Sequence, residues 1–346
     1  MKHDAFPDSM KTSMAYLLKE YMDNAAMAML NQRLTEYAQK AESPFLVAQT
    51  SIGDYLLSST KGAFDVVVLP KEGQTNEAVS AAYREALKYA GEREQFGKPI
   101  IHFAAVAEML KNMEAKTLAS RAMLYETARF VDIYKQLNHI ANEERSLEPE
   151  ERQEMKFYNR LADGFTPLAK MFSSEYANEV AYDSIQIHGG SGYMKDYACE
   201  RLYRDARIMN IYEGTTQLQV VAAINHVTKG TYLEQIMRYE ENERTEATKA
   251  MGDKLVELRK VYEQVVARVE ALDKECAGYK DFHARRLVEI AGYIILSHIM
   301  LRQAGEMEAE YLNPTKIFVK YATKKITEAA AYINESETSD VELFKA

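Results

Sequence analysis

Cysteine is almost absent from this chain: Cys199 and Cys276 are the only two in 346 residues, and no zinc-type or redox spacing relates them. A disulfide framework or a cysteine-built zinc site is therefore not expected, and a reducing compartment, the cytoplasm, is the expected location. Proline (7 residues) and glycine (15 residues) are also sparse, which argues against disorder, while 47% hydrophobic residues suffice for one large core or two smaller ones. Basic residues are in deficit, 43 against 52 acidic, giving a formal net charge of -9. That charge repels nucleic acid and anionic membranes at long range, so neither is an expected partner. Long apolar runs are missing as well. Met14 to Leu18 is broken by Lys19 and too short for a signal-peptide core. Ala291 to Leu301, with Ser297 and His298 inside it, falls far short of the roughly 20 residues of a membrane span. None of the seven histidines has glutamate three residues before it, which removes the Glu-x-x-His signature of di-metal carboxylate bundles, and no metal site is expected.

What is present is helical periodicity. Between Phe103 and Tyr134, Val106, Leu110, Met113, Leu124 and Val131 recur mostly at three-, four- or seven-residue steps, with Lys111, Lys116 and Glu126 among the intervening polar positions. A second helix is expected from Pro149 to about Ile187, stopped by Gly189 and Gly190, and a third from near Gly214 to Lys229, closed by Gly230. With the segment Asn76 to Glu94 these make an antiparallel, up-and-down four-helix bundle over residues 76–232. After the acidic stretch Glu240 to Glu246 comes a helical extension, residues 245–346, with helices expected near Thr248 to Glu275, Asp281 to Glu308 and Pro314 to Asn334. The last is read as capped by Asn313 with Pro314 at its first position. Leu287, Ala291, Ile294, Ile295 and Ile299 form a stripe that reads as core or subunit contact. The fold class is thus mainly all-α. The atypical N-terminal segment, residues 1–75, holds an expected helix at Met14 to Ala41, a strand at Phe64 to Leu69 and a loop at Lys71 to Thr75, so at most one or two strands.

One stretch concentrates unrelated signals. In QIHGGSGYMKDYACERLYRDARIMNIYEGTTQLQ, Gln186 to Gln219, a glycine turn precedes a dense charged segment and a lone acid at a turn. Taken singly, the glycines read as a helix stop, Glu200 to Arg207 as a local ion-pair lattice, and Glu213 as an acid favoured by a helix N-terminus. Their order, together with EREQFGKPI at Glu92 to Ile100, closely resembles the acyl-CoA dehydrogenase family of flavoenzymes from about Ala81 to Tyr232. The motifs that carry the resemblance are Arg93, Gln95, Phe96 and Gly97; Gln186, Ile187, Gly189 and Gly190; and Ile-Tyr-Glu-Gly-Thr at Ile211 to Thr215.

The resemblance implies the helical C-terminal domain of that family and an FAD-dependent α,β-dehydrogenation of acyl-CoA to trans-2-enoyl-CoA. Glu213 would be the base that removes the α proton, as the chemistry of a thioester's α carbon requires. Arg93, Gln95, Phe96, Gln186, Gly189, Gly190, Thr215 and Gln217 would contact FAD, with electrons passing to an electron-transfer flavoprotein. Because the Arg93-type and Gln186-type residues of the family reach a neighbouring subunit's flavin, a homodimer or homotetramer is implied. His188 reads as a turn residue. The sequence departs from the family in three ways: the segment corresponding to the N-terminal and middle β domains is not recognisable, His102 to Ala105 lacks a glutamine usual after Phe-Gly, and no arginine falls between Arg33 and Arg84. Two other readings therefore stand beside the enzyme: a non-catalytic helical scaffold, and a split enzyme whose remaining domains lie on a separate chain.

Overall fold

The computed structural model describes residues 46–49, 55–58 and 71–344. The expected helix at Met14 to Ala41 and strand at Phe64 to Leu69 lie outside them. Two short strands, β1 (Leu46–Gln49) and β2 (Tyr55–Ser58), pair antiparallel with Leu46 opposite Ser58. Helix α1 (Lys71–Glu92) leads into the minimal hairpin β3 (Glu94–Gln95) and β4 (Lys98–Pro99), and then α2 (Ala104–His139) and α3 (Pro149–His188) form two long arms. Helices α4 (Ala198–Met209), α5 (Thr216–Thr228) and α6 (Thr231–Glu240) follow, then α7 (Glu246–Glu275), α8 (Tyr279–Glu306), α9 (Glu308–Glu335) and the short α10 (Asp340–Leu343).

Helix α3 organises the bundle, packing against α1, α2, α4 and α5. Its boundaries follow local chemistry. Glu148 is the N-cap of a reciprocal capping box with Glu151, Pro149 occupies the first turn, and the helix ends at Gly189. The charged segment at Glu200 to Arg207 is a helix in its own right, α4, with Glu200 and Arg204 paired at 3.3 Å one turn apart.

Two expectations shift. Lys71 to Thr75, read as a loop because of Gly73, forms the first turns of α1. Thr75 and Asn76 are buried, and the Asn76 amide donates to Ser173 Oγ of α3 at 3.3 Å, so packing outweighs the roughly 1 kcal/mol that a helical glycine costs. Likewise α9 starts at Glu308, and Pro314 lies inside it. The missing N–H falls within the second turn, Pro314 is buried, and the Thr315 hydroxyl donates to the Met300 carbonyl of α8 at 3.2 Å, which anchors the segment.

The extension does not stand apart from the bundle. One continuous core runs from Ala78 to Val341, and α8 threads it, packing on α2, α5, α6, α7 and α9. Leu287, Ala291, Ile294, Ile295 and Ile299 are all at most 1% exposed, so the stripe is core. By length and composition α8 would pass for a membrane span, but most of it is buried within protein. Gly292 lets α8 approach α3 closely: a Cβ added there would overlap the Phe172 ring, itself buried and edge-on to Tyr293 at 5.1 Å. Gly292→Ala is expected to cost about 1–3 kcal/mol despite alanine's better helix propensity, because a fixed ring cannot yield as a flexible side chain would. Denaturant melts would show it, and a stabilised variant would mean that Phe172 re-packs freely.

Candidate functional site

The turn between α4 and α5 is built by backbone geometry that side chains rarely adopt. After α4 ends, Ile211 and Tyr212 donate to the Ile208 carbonyl (2.9 and 3.0 Å), and the Thr216 N–H reaches back to the Asn210 carbonyl at 3.2 Å. Between them, Glu213 has φ 53 and Gly214 φ 95. Among the described residues, only Phe96 (φ 50) and Glu213 carry a side chain at positive φ, and both fall inside motifs read as functional. Thr215 then caps α5, its hydroxyl accepting from the Leu218 N–H at 3.4 Å. The Gln219 amide donates to the carbonyls of both Glu213 (3.2 Å) and Gly214 (3.3 Å).

Helix α3 supports this turn from beneath. Lys170 Nζ donates to the Met209 carbonyl at the end of α4 and sits 4.9 Å from the Tyr212 ring centre. Asn178 Nδ2 donates to the Ala206 carbonyl at 2.9 Å, and the Thr216 hydroxyl donates to Glu175 Oε1 at 2.6 Å. Lys170, Glu175, Asn178 and Gln219 escaped the sequence reading. The one sequence signal for the three on α3 is polarity next to the apolar stripe of Leu168, Phe172 and Tyr176, and it does not say which backbone they serve.

The other motifs meet at the far end of α3. Gln186 is exposed one step before Ile187 and His188, which are buried. His188, read as a turn residue, is instead the buried last residue of α3: its ring stacks on Tyr89 of α1 with centroids 4.2 Å apart, and its Nδ1 lies 2.7 Å from the Ser184 carbonyl one turn back. Tyr89 also donates to Ser191 Oγ at 3.4 Å. Gly192 has to be glycine, since a Cβ there would stand 2.7 Å from the Ile185 carbonyl oxygen. From the same turn of α1, the Tyr89 carbonyl accepts the Arg93 N–H at 2.8 Å, so the root of the β3–β4 hairpin is tied to the Gly189–Gly190 turn through Tyr89. Gln95 pairs with Lys98 across the hairpin, and Phe96 at its tip is 93% exposed.

The structure thus groups the expected residues in two places on one helix. Arg93, Gln95 and Phe96 issue from beside Gln186, Gly189 and Gly190, whereas Glu213, Thr215 and Gln217 start from the turn that rests on Glu175. Gln186 lies 11 residues beyond Glu175 on α3, about 16 Å along the helix axis at 1.5 Å per residue. Arg93, Gln95, Phe96, Gln186, Gly189, Gly190, Glu213 and Gln217 are exposed, and Thr215 is half-buried. Both groups form an open edge, and no cluster of metal-ligating side chains occurs among the described residues.

Residues 75–227 match the family model described as acyl-CoA dehydrogenase, C-terminal domain, and residues 228–341 match that described as acyl-CoA dehydrogenase C terminal. The CarC subunit of the caffeyl-CoA reductase-Etf complex of Acetobacterium woodii is 37% identical over 162 residues, 47% of this chain and 36% of that protein. The 3-(aryl)acrylate reductase of Clostridium sporogenes is 37% identical over 149 residues, covering 43% and 33%. This chain therefore spans about a third of the length of these relatives. Among solved structures, an acyl-CoA dehydrogenase from Bacillus anthracis complexed with FAD aligns with TM-score 0.61 at 22% identity, over 76% of this chain and 47% of that one. ACDH-11 of Caenorhabditis elegans in complex with C11-CoA aligns with TM-score 0.57 at 18% identity, covering 74% and 42%. At those identities the likeness shows the fold.

Proposed function

The chain belongs to the acyl-CoA dehydrogenase family, and from that premise we propose that it supplies the base-carrying helical part of an FAD-dependent enzyme that dehydrogenates acyl-CoA to trans-2-enoyl-CoA. The observation that carries this reading is the coincidence of backbone strain with motif. A side chain in the left-handed region costs about 1–2 kcal/mol, and Phe96 and Glu213, the described residues that bear this cost, belong to two of the three motifs. Packing alone gives no reason to hold an acid in that conformation on an open edge.

The residues fit the group. Arg93 offers a fixed cation for a diphosphate, Gln95 and Gln186 offer amides, and the exposed Phe96 ring offers a flat apolar face beside the glycine turn. Thr215 and Gln217 complete the set next to the base. FAD, when bound, supplies the acceptor for the hydride that leaves the β carbon. The Glu213 carboxylate takes the α proton, and the electron pair of the broken α C–H bond becomes the new π bond. The backbone N–H of Glu213 helps polarise the thioester carbonyl. Run in reverse, the same carboxyl returns the proton, so the reductase names of two relatives are compatible with the same chemistry.

Electron-transfer flavoprotein is the proposed redox partner, a reading supported by the relative named as a subunit of an Etf complex. The open edge calls for a second protein surface, either another copy of this chain in a homodimer or homotetramer or a separate chain carrying further domains. The test is the visible absorption of the purified chain, alone and after addition of FAD, followed by mixing with butyryl-, octanoyl- and 3-phenylpropionyl-CoA. Weak flavin binding by the chain alone is expected, with bleaching on mixing once FAD is added in excess, and Gln186→Ala should weaken binding about tenfold further by removing hydrogen bonds to the cofactor. A monomer at micromolar concentration that neither retains flavin nor bleaches in any of these mixtures would favour the scaffold.

A further inference from the structure

A helix N-terminus needs acceptors, because its first N–H groups lack partners. Helix α5 has its acceptor in the Thr215 hydroxyl, bonded to Leu218 N. Gln219 does the opposite: from within the first turns of α5 its side chain sends a donor backward, to the carbonyls of Glu213 and Gly214 at 3.2 and 3.3 Å. Those bonds satisfy no helix donor. They constrain the two peptide planes that follow the Glu213 Cα, and so fix ψ of Glu213 and the torsions of Gly214 at the point where φ is 53 and 95. The contact is close enough that a Cβ on Gly214 would lie 2.9 Å from Gln219 Nε2. The other supports act on the flanks: Lys170 and Asn178 hold the carbonyls of Met209 and Ala206, and Glu175 holds the Thr216 hydroxyl. The Gln219 amide reaches the carbonyls of the left-handed pair themselves.

We propose that Gln219 is a positioning residue for the base: its amide clamps the left-handed Glu213–Gly214 pair and thereby aims the Glu213 carboxyl at the substrate's α carbon. The proposal rests on the reading of Glu213 as that base. One amide shared between two carbonyls and a side chain forced into the left-handed region are opposing effects of similar size, so removing the donor changes how often the turn holds its shape while leaving the fold intact.

Gln219→Met keeps the length and removes the donor; Gln219→Lys keeps an N–H donor of similar reach. In Gln219→Met, amide hydrogen exchange within residues 213–216, read at the Thr216 N–H that bonds the Asn210 carbonyl, is expected to quicken about tenfold, with the rest of α5 unchanged. In the FAD-loaded protein, kcat for flavin reduction by octanoyl-CoA should fall by a similar factor with KM and flavin retention held, and Gln219→Lys should recover part of it. Unchanged exchange at 213–216, or a rise spread evenly through α5, would overturn the clamp, and neither readout requires activity. Quickened exchange with undiminished kcat, in a protein that Glu213→Gln inactivates, would overturn the positioning role. An active Glu213→Gln enzyme would instead remove the base reading itself, and with it the role proposed for Gln219.

Discussion

Glu213→Gln is expected to abolish flavin reduction by acyl-CoA while leaving FAD bound. Glutamine keeps the size of the side chain and much of its hydrogen bonding, but it cannot accept the α proton. Loss of a positioned base costs on the order of 10²–10⁴ in rate, and the loss falls on the chemical step, since ground-state contacts survive. Stopped-flow mixing of the FAD-loaded protein with acyl-CoA isolates that step from turnover. Reduction at the wild-type rate would show that another group takes the proton and would revive the scaffold reading.

The second large effect is on stability, at a site far from the turn in sequence. Glu126 of α2, 2% exposed, accepts from Arg129 one turn on, from Arg302 of α8 at 2.9 Å, and from the Tyr239 hydroxyl of α6 at 2.7 Å. Burial by itself raises the carboxyl pKa, but the hydrogen bonds from Arg129 and Arg302, the Arg302 charge and the Tyr239 hydroxyl outweigh it and lower the value to about 2. Glu126→Ala leaves Arg302 partly buried with no carboxylate, an error that costs about 3 kcal/mol, the lower end of the usual range because Arg129 is half in solvent and rehydrates. A drop in Tm of about 4 °C is expected, and Glu126→Met combined with Arg302→Met should recover much of it, since an apolar pair leaves no orphan charge. Equal losses in the single and double variants would mean that shape, not charge, matters there.

Titration gives an independent view of the same core. Glu126 is depressed from 4.5 to about 2, so its contribution, about 3 kcal/mol, is fully present above pH 4.5 and is lost as pH falls through 2. The buried His283 and His298 on α8 act at higher pH. Burial, then nearby arginine charges, lowers them from 6.5 to about 4 and about 3, so the unfolded chain takes up their protons first. Stability therefore declines as pH falls below 6.5 and continues down through those values.

How much of this could be read without coordinates depends on the range of the interaction. Glu148, Pro149 and Glu151 at one end and Gly189 at the other define α3 through contacts within a turn or two, so its span needed no partner to be seen. The stripe on α8 was legible for the same reason, since 3.6-residue periodicity is local. The three motifs at Arg93, Gln186 and Glu213 were legible because each is a short string whose residue types are demanding.

Tertiary structure decided the rest. Glu126 stood among the polar positions of an amphipathic helix; it can be buried because Arg302, 176 residues later, brings a second guanidinium to it. The need for glycine at 292 comes from Phe172 across from it, and packing drew Gly73 out of an expected loop into α1 and Pro314 from an expected helix start into the interior of α9. The support of the turn by Lys170, Glu175 and Asn178 is also long-range, since each holds a partner beyond α3. The chain's own pattern determined where the main helices run and which residues form the three motifs, because caps, periodicity and motifs act over a few residues. Only the packing of α3 and α8 decided which polar groups are buried and how the Glu213 turn is held, because a buried charge or a strained turn persists only where distant segments supply its partners.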